Sequence, residues 1–113
     1  MGVRGWHIVR EGDKLTLSRH IPVRFDVAVC TVLPRANLLR LAHQIRQDMW
    51  RALQRVRGFS PVVEICAFEE EAHVRAGGRV LGAVSPATGP RIADILEDTA
   101  NRARWLRFAR EER

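Results

Sequence analysis

Apolar residues recur along this chain with two different periods. From Trp6 to Leu17 they alternate with polar ones: Trp6 and Ile8 lie before Glu11-Gly12-Asp13-Lys14, Leu15 and Leu17 after it. Alternation marks half-buried strands, and the polar stretch between them marks a hairpin turn. The stretch RFDVAVCTVL, residues 24–33, is rich in β-branched residues and apolar on both faces. Phe25, Val27, Val29, Thr31 and Leu33 share one face, and Ala28, Cys30 and Val32 share the other. A strand apolar on both sides is expected at the centre of a sheet. Pro22 before it marks an edge or a bend.

The period then changes. Leu38, Leu41, Ala42, Ile45, Met49, Ala52, Leu53 and Val56 follow helical spacing. Either Pro34 occupies the first turn or Asn37 caps it, and Gly58 is expected at the C′ position. PVVEICAF and AHVRAGGRVLGAV read as two more strands joined at Glu69-Glu70-Glu71, with Gly77-Gly78 as a bulge or a tight turn. SPATGP reads as a loop. The stretch from Arg91 to Arg110 reads as one second helix, with Asp94, Glu97 and Asp98 early and arginines late, the order that complements a helix dipole. The expected order is β-β-β-α-β-β-α. It describes a single α+β domain over 1–113: one mostly antiparallel sheet of about five strands with two helices packed on one face.

Charge adds a direction to this picture. The net charge is +6, and of the 19 basic residues only Lys14 is a lysine. Arginine suits phosphate because its planar fork donates two parallel hydrogen bonds, although a GC-rich coding bias produces the same imbalance. Position is more telling than the total. Residues 35–57 carry six arginines against one acid, Asp48. The Arg-rich helix is therefore the expected phosphate surface, through Arg40, Arg46, Arg51, Arg55 and Arg57.

A search for reactive chemistry finds little. His7, His20, His43 and His73 lack metal-ligand spacing with either cysteine, and Cys30 and Cys66 lie in apolar runs that predict buried, reduced thiols. RAGGRVLG lacks the lysine and the strand–loop–helix setting of a phosphate-binding loop. The carboxylates of FEEEAH are consecutive at a turn and diverge. No enzyme activity, metal or cofactor is expected. The opening residues contain no apolar signal core, and VAVCTVLP is too short for a membrane span, so the cytoplasm is the expected location and no membrane partner is expected.

The remaining faces raise the functional question. With Ile45 at zero on a wheel of about 100° per residue, Leu39, His43, Arg46, Trp50 and Arg57 fall opposite the core stripe. In the last helix Ile92, Ile95, Leu96, Thr99, Ala103 and Leu106 form the stripe, and Trp105 and Phe108 point away from it, near Asn101 and Arg104. These aromatics need cover. Three covers fit: another part of this chain, a protein partner or second copy, or the bases of DNA or RNA. Asp94, Glu97, Asp98, Glu111 and Glu112 argue against a wholly basic last helix. The expectation is a non-enzymatic binding domain, nominally for nucleic acid. The alternative is a protein-interaction or dimerisation module using Leu39, His43, Trp50, Trp105 and Phe108.

Overall fold

The computed structural model describes residues 5–110. Glu111 and Glu112 therefore lie outside the described residues. Five strands run β1 His7–Glu11, β2 Lys14–Ser18, β3 Val27–Pro34, β4 Ser60–Phe68 and β5 Glu71–Arg79. Three helices, α1 Leu38–Ala52, α2 Thr88–Glu97 and α3 Thr99–Phe108, complete the α+β fold. The strands form one antiparallel sheet in the order β1-β2-β4-β5-β3.

The sheet follows from the alternation. Leu15 and Leu17, Val63 and Ile65, and Ala72, Val74 and Ala76 all meet the helices on one face, and each is at most 2% exposed. Leu41, Ala42, Ile45 and Met49 of α1 lie on them with no exposed surface. Gly77 and Gly78 are neither a loose bulge nor a turn. They stand inside β5 opposite Ala28 and Val27 on one side and Val62 and Pro61 on the other. A Cβ at Gly77 would overlap the Val27 carbonyl, and one at Gly78 the Ser60 carbonyl. The two glycines let β3 and β4 close on β5 at this end.

Two expectations about β3 are corrected. It is an edge strand, hydrogen-bonded only to β5, rather than the central one. Its second apolar set is left open, with Ala28, Cys30 and Val32 exposed, because helices cover only one face of the sheet. Cys30 and Cys66 are consequently exposed free thiols, not buried ones. The free side of β3 is partly covered instead by Arg102 of α3, which donates to the Val32 carbonyl at 2.6 Å, the Leu96 carbonyl at 2.9 Å and Thr31 Oγ1 at 3.2 Å.

The helix boundaries also differ from expectation. Asn37 is the N-cap of α1, its side chain accepting from the Arg40 amide at 3.0 Å, while Pro34 ends β3. The helix stops at Ala52, so Gly58 is not its C′ residue but part of the turn that follows. Arg91 of α2 donates to the Ala52 carbonyl, filling one of the acceptors left open at that helix end. The expected second helix is two helices. It starts at Thr88, inside the expected loop, with Pro90 tolerated in a first turn whose amides have no intrahelical partner. It then breaks at Asp98, which has extended backbone (φ −65°, ψ 119°), ends α2 and caps α3 by accepting from the Asn101 amide at 2.8 Å.

That break overturns the expected placement of Trp105. A wheel drawn through residues 91–110 as one helix puts it on the outside. The kink at Asp98 resets the phase, and α3 lies against α1 and α2 with Trp105 fully buried. Its indole Nε1–H donates to Asp48 Oδ2 at 2.7 Å, and Arg104 donates to the same oxygen. Phe108 stays outside, 57% exposed.

Chemical denaturation should separate these roles. Trp105→Ala should cost about 3–5 kcal/mol, the scale for removing a buried large aromatic. Asp48→Ala should cost about 1–3 kcal/mol, because it leaves a buried indole donor without an acceptor. Phe108→Ala should fall within about 0.5 kcal/mol of the parent. Equal, mild losses at Trp105 and Phe108 would contradict the docking of α3.

Candidate functional site

The register of the first hairpin builds one wall of the principal cleft. Glu11 pairs with Lys14 and His7 with Ser18, so Trp6 and Arg19 flank the next step outward. Arg46 reaches this position from α1. The Arg46 guanidinium lies 4.6 Å from the Trp6 ring centroid and that of Arg19 5.3 Å, within the range of cation–π attraction. Trp50, one helical turn after Arg46, forms another wall and is 50% exposed. The floor is Phe59, Ser60 and Pro61, where the chain enters β4. The cleft is open to solvent and has a volume of about 560 Å³.

Among the described residues no carboxylate lines this cleft. Arg46 is half-buried, and burial, Arg19 and Arg51 all work against its positive charge, in that order. Its nearest side-chain partner is neutral. Arg46 Nη2 lies 3.1 Å from His43 Nδ1. A guanidinium only donates, so His43 Nδ1 must accept and its proton sits on Nε2. Both His43 Nε2 and Arg46 Nε are buried and lack a hydrogen-bond partner among the described residues. Two arginine side chains with no acid beside them among the described residues make the cleft a place where an anion is favoured.

The absence of acid has a structural cause. Asp48 is the one acid in residues 35–57, and α3 holds it on the other side of α1. A second depression of about 350 Å³ adjoins the cleft and shares His20, Gly58 and Ser60 with it. Arg24 and Arg79 also line it. Gly58, at φ 69°, turns the chain here, and a Cβ would come within 2.6 Å of that of Leu81.

The expected site residues scatter. Arg46 and Trp50 are brought together in the cleft, with His43 behind Arg46. Leu39 is partly buried against the core. Arg51 faces Asp48 at 3.7 Å, and Arg55 and Arg57 are exposed in the turn after α1. Arg40 lies elsewhere, beside Arg107, Phe108 and Arg110. Trp105 belongs to the core and offers no interface. Sequence reasoning missed Trp6, Arg19 and His20, having read Trp6 only as an apolar strand position. The signal was present, because a turn at Gly12-Asp13 places residue 6 across from residue 19.

Among the described residues no helix is long and apolar enough to cross a membrane, and no three His, Cys, Asp or Glu side chains are grouped to hold a metal ion. The chain matches no protein-family profile, no curated protein and no solved structure.

The cleft has a pH signature. Burial, then the Arg46 charge, hold His43 below its ordinary 6.5. The folded protein therefore binds fewer protons here than the unfolded chain, so this share of stability is full above 6.5 and is lost as pH falls through the folded value. Asp26 is held below its ordinary 3.8, first by the Arg24 hydrogen bond and then by the Val80 amide. Its share is full above 3.8 and fails only in stronger acid. Melting midpoints of the parent should thus begin to decline below 6.5, and His43→Gln should flatten the decline between 6.5 and 3.8. An unchanged profile in that variant would show that His43 is not held neutral.

Proposed function

We propose that this chain is a non-enzymatic binding domain that takes single-stranded nucleic acid in the cleft between Trp6, Arg46 and Trp50. The observation that carries the reading is the Arg19–Trp6–Arg46 stack, two guanidiniums gathered on one indole with no carboxylate beside them among the described residues. Such a pair favours phosphate over any neutral ligand. Trp6 is occupied by the arginines. Trp50, half exposed, is the platform left for a base. Stacking on it requires an unpaired base, because a duplex hides the base faces. The cleft also has the volume of a small-ligand pocket, not the flat or convex shape of an element that enters a duplex groove.

Exposed free thiols at Cys30 and Cys66 fit a reducing compartment and support a cytoplasmic location. The second reading, a protein-interaction or dimerisation module, draws on Phe108, which stands exposed beside Arg40, Arg107 and Arg110.

Fluorescence titration with oligothymidylate against salt distinguishes the two. One phosphate held between Arg19 and Arg46 should give a log–log slope of about −0.7 or steeper, and Arg46→Gln should make it shallower. Trp50→Ala should weaken binding by about 1–3 kcal/mol, and Phe108→Ala should leave it unchanged. Salt-independent affinity, or full binding by both cleft variants, would overturn the proposal. A mass above the monomer that is lost on Phe108→Ala would favour the second reading.

A further inference from the structure

The cleft adjoins its neighbouring depression, and we infer that together they hold two consecutive phosphates of a strand, the second on Arg79. This inference rests on the proposed function and specifies its ligand: an oligonucleotide of at least two nucleotides, not a mononucleotide.

The two parts adjoin, because His20, Gly58 and Ser60 line both. Ser60 pairs with Arg79 across the β4–β5 ladder, so the Arg79 backbone stands one strand spacing, about 4.8 Å, from that of Ser60, and its side chain lines the second part. The other cation of the second part is already engaged. Arg24 donates to Asp26 Oδ2 at 2.8 Å, and that oxygen also accepts from the Val80 amide at 2.9 Å. Arg79 makes no ion pair among the described residues; its charge reaches Asp26 without bonding to it, which leaves its guanidinium open to a phosphate.

The border that the two parts share is firmly held. The His20 carbonyl accepts from Ser18 Oγ at 3.1 Å, and Leu81 N donates to the Arg57 carbonyl at 3.0 Å. The groove is therefore formed before a ligand arrives. Arg46 and Arg19 hold one phosphate beside Trp50, and Arg79 meets the next where the strand crosses the start of β4. A ligand with one phosphate fills only one position.

The test compares thymidine monophosphate with its 5′-phosphorylated dinucleotide by titration calorimetry. The dinucleotide should bind about tenfold or more tightly, the scale of an added hydrogen-bonded charge pair. Arg79→Gln should abolish that step and leave the monophosphate unchanged, and Arg79→Lys should keep part of it. Arg46→Gln should weaken both ligands alike. Equal affinity for the two ligands, or a step that survives in Arg79→Gln, overturns the two-phosphate groove while the proposed function stands. Failure of either ligand and of longer oligothymidylate to bind the parent overturns both. Parent-like melting of Arg79→Gln confirms that a lost step reflects the groove rather than the fold.

Discussion

Asp48 is a single carboxylate on a helix otherwise decorated with arginines, and much of the molecule is arranged around where it points. It accepts from the indole of Trp105 and from Arg104, which draws α3 onto α1. A buried indole N–H without an acceptor would cost much of what burying the ring contributes, so the contact decides whether the last helix docks at all. Two residues from Arg46 and two from Trp50, Asp48 falls on the opposite side of α1 from both, and there it meets α3. The face bearing Arg46 and Trp50 is left without a counter-charge from this helix. Stability and surface charge here are two results of one position on the helix.

Much of the fold was legible in the residues. Alternation located the sheet, and the Leu41, Ile45 and Met49 stripe located the helix that lies on it. What could not be read was whatever depends on how elements meet. β3 carries apolar residues on both sides, which periodicity alone assigns to a sheet centre. Only the topology shows that one side faces no layer. Trp105 was misplaced for a different reason. Helical phase is reliable only within an unbroken helix, and Asp98 ends one helix and begins the next without any glycine or proline to announce it. A residue that both stops and caps looks, in sequence, like an ordinary acidic position in a helix's first half.

The candidate site was half legible. Arg46 and Trp50 share a helical face, and a face with a tryptophan opposite the core is a local pattern. Their partners come from a hairpin some thirty residues earlier in the chain, and nothing local joins the two. The arginine excess was a poor guide by itself. Arg102 and Arg104 staple helices, and Arg91 fills a helix end, so several of the basic residues are structural ties. What distinguishes Arg19 and Arg46 is their lack of acid and their shared indole. Trp6 lets two like charges approach by screening each with its ring face.

The joint at Asp98 also bears on how this chain can vary through evolution. Loops between elements ordinarily absorb insertions and deletions at small cost, since added residues bulge into solvent. Here the joint is one residue long and has no slack. One residue more or less would turn everything after it by about a third of a helical revolution. Trp105 would then face water and Asp48 would lose its donor. A lineage that keeps this packing can exchange side chains along α3 freely, but the count of residues between Leu96 and Trp105 has to be inherited unchanged.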